Sequence, residues 1–116
     1  MVRKLIFAAT ALFTALAAPA QNEISKGDIN LLVVSDLGRN GYYDQKKVAA
    51  TMGEVADNIG PDAILALGDT HHYEGVQSVS DPLWMTNYEL IYTHPELMVD
   101  WYPICGNHEY RGNTEA

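Results

Sequence analysis

The sequence predicts an α/β fold, and three observations carry that reading. Short, predominantly apolar runs recur at residues 29–34, 63–67 and about 101–105. A stretch with helical spacing of its apolar residues separates the first two runs, and a second, less regular one separates the last two. Each run leads into an Asp or Asn close to a Gly: Ser35-Asp36-Leu37-Gly38, Gly68-Asp69-Thr70-His71-His72 and Gly106-Asn107-His108-Glu109. Runs whose apolarity is continuous rather than alternating suit strands covered on both faces, as in a parallel sheet. The expected order is βαβαβ.

The start of the chain has a different character. Arg3 and Lys4 precede an apolar run from Leu5 to Ala18, and Ala18-Pro19-Ala20 supplies small residues at its end. A basic start, an apolar centre and an A-x-A end describe a signal peptide over residues 1–20, cleaved after Ala20. The run is too short to cross about 30 Å of hydrocarbon as a lasting anchor, so no stable membrane insertion is expected after cleavage. Residues 21–28 are polar and read as an exposed leader.

From residue 29 onward the elements follow in order. The first strand spans 29–34, and Asn40-Gly41 in the loop after it is a strong turn dipeptide. Asp44 is placed to cap a helix from about Gln45 to Ile59, with Val48, Met52, Val55 and Ile59 as its core-facing stripe. Gly60-Pro61 ends that helix. The second strand, 63–67, follows directly, and a strand, helix and strand within about forty residues make a unit whose strands run parallel. Ser80 or Asp81 before Pro82 starts a second helix, with Leu83, Trp84, Asn87, Tyr88, Leu90 and Ile91 on its broad inner face, and His94-Pro95 closes it. The third strand follows near 101–105.

In such sheets functional groups gather beyond the carboxyl ends of the strands, which is where Asp36, Asp69 and Asn107 fall. Two carboxylates held close together without a cation repel, and one must take up a proton. Two aspartates, an asparagine and one or more histidines in one cleft are metal ligands of hard to intermediate character. The charge balance agrees. The chain has a formal charge of −8, and loss of Arg3 and Lys4 takes it to −10, so nucleic acid and anionic membranes are excluded as main partners. A protein this acidic handles phosphate anions only if cations supply the missing charge. The lone cysteine, Cys105, rules out an intramolecular disulfide and reads as a small buried hydrophobe.

Taken singly, the same residues have plainer readings. Asp36 and Asp69 could cap the elements after them, Asn107 could be a turn residue, and His108 could be a solvated loop histidine. His71 stands open between cleft wall and solvent, His94 reads as a helix end, and Glu109 and Tyr110 stay open between support for the site and plain surface.

The ordered set Asp-x-Gly, Gly-Asp-x-x-His and Gly-Asn-His-Glu resembles the calcineurin-like metallophosphoesterase superfamily. The stretches Ser35–Tyr43, Gly68–Gln77 and Gly106–Glu109 resemble more closely its purple, or tartrate-resistant, acid phosphatase branch. The resemblance covers about residues 29–113. It implies that residues 29–116 are the N-terminal portion of a sandwich of parallel strands with covering helices. It also implies two metal ions, iron paired with zinc, manganese or a second iron. Asp36 would bind the first ion, Asp69 would bridge both, and Asn107 would bind the second through its carbonyl oxygen, with His72 a further ligand. His108 would stand just outside the metals to give a proton to the leaving alcohol. The implied reaction is hydrolysis of a small phosphate monoester by a metal-bound hydroxide. A phosphodiesterase or nucleotidase of the same superfamily is the second reading, and a non-catalytic metal-binding domain the third.

The chain departs from the purple pattern at one position. That branch carries a tyrosine three residues after the bridging aspartate, and its phenolate colours the iron(III) site. Here the position is His72, with Tyr73 one further along. The family also completes its metal shells with later histidines, which residues up to 116 do not provide. The expectation is therefore a truncated chain with weak metal affinity and little activity of its own.

Overall fold

The computed structural model describes residues 29–116, so the expected signal peptide and polar leader lie outside the described residues. Three parallel strands form one sheet in the order β1 (Leu31–Val34), β2 (Ala63–Ala66), β3 (Asp100–Pro103). Leu31 pairs with Ala63 and Val34 with Ala66, while Ala63 pairs with Asp100 and Ala66 with Pro103. Pairing continues past the strands, from the Leu67 N–H to the Val34 carbonyl at 2.7 Å and from the Ile104 N–H to the Ala66 carbonyl at 2.9 Å. The three loops that follow therefore leave the sheet at one edge, side by side. The expected α/β architecture is present, and no helix among the described residues is long and apolar enough to cross a membrane.

The first crossover is α1 (Gln45–Ile59), ended by Gly60 in the left-handed region (φ 56°), whose N–H closes on the Ala56 carbonyl. Its buried stripe differs from the expected one. Gln45, Ala49, Gly53 and Ala56 face inward, whereas Val48 and Val55 remain 47 % and 41 % exposed. The helix lies too close to its neighbours for branched side chains: a Cβ on Gly53 would strike the His94 ring. Asp44 precedes the helix but makes no capping bond; its carboxylate takes the Lys47 ammonium at 2.8 Å instead.

The second crossover is not the long helix expected from Pro82 to His94. A turn at Pro82 leads into a five-residue π-helical segment, Met85–Glu89, and a 3-10 turn, Pro95–Leu97, precedes β3. The reason is polar. Asn87, placed by the sequence pattern on an apolar face, is fully buried and binds the first loop: its Oδ1 accepts from the Asn40 N–H at 2.8 Å and its Nδ2 donates to Asn40 Oδ1 at 2.9 Å. Gln45 completes the junction. It donates to the Leu37 and Asn87 carbonyls and accepts from the Arg39 and Gly41 N–H groups. Every polar atom of that amide is thus paired, as burial requires.

The core lies on one side of the sheet. Leu37, Ala49, Ala56, Ile64, Ala66, Tyr92 and Leu97 form it, with Trp101 packed edge-on against Tyr88 at 4.9 Å between ring centroids. On the other side β2 is largely buried, while the outer strands β1 and β3 are open among the described residues. Among the described residues, Leu31, Val33 and Tyr102 remain 45 %, 58 % and 56 % exposed. Cys105 likewise is exposed rather than buried, because β3 ends before reaching it.

Candidate metal centre

The site is built where β1 and β2 stop. Asp36 and Asp69 each occupy the left-handed backbone region, with φ of 55° and 51°. Non-glycine residues seldom do so, and Asp is among those that tolerate it best. The shared conformation turns the chain sharply at each strand end, and the Asp36 N–H donates to the Gly68 carbonyl at 3.1 Å, tying the two turns together. Gly68 (φ 92°) lets the third turn approach: a Cβ there would contact the Gly106 backbone.

His72 joins the two aspartates. Its Nε2 lies 3.9 Å from Asp36 Oδ1 and 3.9 Å from Asp69 Oδ2. Its Nδ1 lies 2.9 Å from the Gly38 carbonyl. A carbonyl can only accept, so Nδ1 carries the proton and Nε2 of the neutral ring presents a lone pair. Burial, with the Arg39 guanidinium adding to it, holds the imidazole below its usual range, so the neutral form is favoured. One lone pair therefore faces two carboxylates with no hydrogen between them. That geometry is unfavourable unless a cation or a proton enters.

His108 completes the cluster. Asp69, His72 and His108 each offer a ligand atom, all within 4.8 Å of one another. The His72 and His108 rings stand 4.1 Å apart. The His108 Nδ1 donates to the Tyr73 carbonyl at 2.6 Å, which leaves its Nε2 free in turn. A carboxylate and two imidazoles, each imidazole oriented through its other nitrogen, form a donor set that fits first-row divalent ions. Asp36 reaches the cluster through His72, and its side chain is 62 % exposed. Asn107 lies exposed in the turn between Gly106 and His108.

Glu109, which the sequence left open, is the brace of the site. Its Oε2 accepts from the Asp69 and Gly106 N–H groups at 2.8 and 2.7 Å, and its Oε1 from the His71 N–H at 3.0 Å. One side chain thus fixes the turns after β2 and β3. The available signal was an acid three residues after Gly106, the reach by which a Glu side chain satisfies backbone donors at a capping box. His71 points away from solvent: it is 1 % exposed, edge-on to Trp84 at 4.7 Å.

Residues 29–116 match the family model for calcineurin-like phosphoesterase. The chain belongs to that family. Among curated phosphoesterases it is 41 % identical over 92 residues to "Purple acid phosphatase 7" of Arabidopsis thaliana, covering 79 % of this chain and 28 % of that protein. It is 40 % identical over 90 residues to "Purple acid phosphatase 3" of the same plant, covering 78 % and 25 %. With "Tartrate-resistant acid phosphatase type 5" of Oryctolagus cuniculus it shares 39 % over 69 residues, covering 59 % and 21 %. The chain spans about a quarter of the length of these curated phosphoesterases.

Proposed function

We propose that this chain supplies the metal-holding N-terminal portion of an exported phosphatase acting on small phosphate monoesters, as an acid phosphatase does. Residues 29–116 would form that portion, after a cleaved signal peptide at 1–20 and a polar leader at 21–28. The basic, apolar and small-residue succession at the start supports export to the periplasm or the medium. The names of the similar proteins support the acid phosphatase class.

The single observation that carries the reading is the His72 Nε2 lone pair facing Asp36 and Asp69 at 3.9 Å each. Asp36, Asp69, His72 and Asn107 would hold two ions, with iron paired with zinc, manganese or a second iron as the expected pair. Two cations bound there would supply Lewis acidity, lowering the pKa of water and neutralising charge on the phosphoryl oxygens. The protein's own groups do the rest. Asp69 has one oxygen toward His72 and the other steadied by the His108 N–H at 3.0 Å, so its carboxylate is held in place before any ion arrives. His108, its ring held by Nδ1 against the Tyr73 carbonyl, would give a proton to the leaving alkoxide oxygen when its Nε2 carries a proton rather than binding an ion. Four donors are fewer than two ions take, so binding by this stretch alone is expected to be weak.

The test is turnover of p-nitrophenyl phosphate by the whole protein in metal-containing buffer, wild type against Asp69→Asn. Asn keeps the oxygen that accepts from His108 and tolerates the left-handed backbone, so the change removes the charge and puts an amide nitrogen in place of the oxygen that faces His72. Turnover should fall to background; unchanged turnover would remove Asp69 from the metal site.

A further inference from the structure

We infer that the Asn40-Gly41 step is a modification site, where the chain deamidates itself when the first loop opens, and that Gln45, Thr86 and Asn87 hold the reaction off in the closed fold. No other Asn-Gly step occurs in the sequence. The chemistry is internal. The Gly41 main-chain nitrogen gives its proton to solvent and attacks the side-chain carboxamide carbon of Asn40. The new C–N bond closes a five-membered imide, and the side-chain nitrogen leaves as ammonia. Water then opens the imide at either carbonyl, giving Asp or isoaspartate. A following glycine favours the first step, because it has no Cβ to crowd the attack and its backbone turns freely.

Both reacting groups are restrained. The Gly41 N–H donates to Gln45 Oε1 at 2.7 Å, so the proton that must leave is held by a buried amide. Asn40 Oδ1 accepts from Thr86 Oγ1 at 2.6 Å and from Asn87 Nδ2 at 2.9 Å. The Asn40 N–H donates to Asn87 Oδ1 at 2.8 Å. The carboxamide therefore cannot swing toward Gly41 without breaking two bonds. Asn40 is itself exposed, so water for the second step is at hand. The rate then follows the population of the opened loop. Either product adds a negative charge to a chain already at −8. Isoaspartate also lengthens the main chain by one atom, two residues after the Gly38 carbonyl that fixes the His72 tautomer. A loop modified in that way does not return to the same closure.

The test is incubation of the whole protein in mildly alkaline buffer, with residue 40 followed by peptide mass spectrometry and isoaspartate detection. Conversion should be slow in the folded wild type and fast in urea. Asn87→Asp sets a carboxylate oxygen against Asn40 Oδ1 and should speed conversion, but Asn87 is fully buried. The exposed Thr86 therefore supplies the second variant. Thr86→Val removes one bond to Asn40 and should speed conversion about five- to tenfold, the change in opening that one lost hydrogen bond supplies. Thr86→Ser keeps the hydroxyl and should match the wild type. Equal rates in folded wild type, Thr86→Val and unfolded chain would overturn the restraint. An unmodified Asn40 in the unfolded chain would overturn the site itself.

Discussion

The main-chain N–H of His108 donates to Asp69 Oδ1 over 3.0 Å, across 39 residues of sequence. The partner oxygen of that carboxylate faces His72 Nε2 at 3.9 Å. Asp69 is thereby shared between its own loop and the turn after β3. Neither loop can move without disturbing the other, so the geometry of the cluster is a property of the sheet edge rather than of either loop alone.

Glu109 should prove a structural brace. Glu109→Ala leaves three backbone donors, at Asp69, His71 and Gly106, without their acceptor. At roughly 1 kcal/mol or more for each unsatisfied group, the loss should be on the order of 3 kcal/mol in urea unfolding. Glu109→Gln retains one carbonyl acceptor and should lose distinctly less. Equal midpoints for the alanine variant and the wild type would rule the brace out.

Gly106 should be intolerant for a local reason. A Cβ at this position would land on the Asp69 carboxylate and main-chain nitrogen. Gly106→Ala is therefore expected to displace the carboxylate and weaken Mn²⁺ binding by about ten- to a hundredfold, the scale seen when groups orienting a ligand are lost. Titration calorimetry reads this directly, and an unaltered affinity would show that the carboxylate position does not matter to the ion.

His71 should make the metal-free fold sensitive to acid. Both ring nitrogens are buried without a hydrogen-bond partner among the described residues. Burial pushes the imidazole below its usual range, against the opposing pull of Glu109, whose Oε1 lies 3.9 Å from Nδ1. The unfolded chain then takes up a proton near pH 6.5 while the folded chain does not. Stability should be complete above about pH 7 and fall as the pH drops toward 5. His72 is shifted in the same direction and adds to the slope. His71→Phe removes two unpaired nitrogens and keeps a ring against Trp84. It should raise stability by about 1–2 kcal/mol at pH 7 and flatten the pH dependence. Denaturation midpoints at pH 5 and pH 7.5 decide the matter.

The metal-loaded protein should be colourless. His72 stands where the purple branch carries the tyrosine whose phenolate absorbs visible light, and Tyr73 contributes its main-chain carbonyl to His108. A visible absorption spectrum of the iron-loaded protein is the check, and a purple band would contradict a histidine at that position of the site.

Read by itself, the sequence determined the βαβαβ succession and its parallel strands, the stop of α1 at Gly60 and the placing of Asp36 and Asp69 at the carboxyl ends of strands. These are local or topological facts: apolar runs of strand length, a glycine able to adopt φ 56°, and parallel strands that necessarily release their chains at one edge. Only the tertiary structure decided the rest. It turned Ala49, Gly53 and Ala56 inward instead of Val48 and Val55, because the helix sits against His94. It shortened the second helix around the buried Asn87, exposed Cys105, made Glu109 a brace and chose the His72 tautomer through the Gly38 carbonyl. Each of those outcomes depends on partners 30 to 50 residues away, or on how closely two elements approach. Periodicity along the chain carries no record of either, because it reports which side of an element is apolar and not what stands opposite.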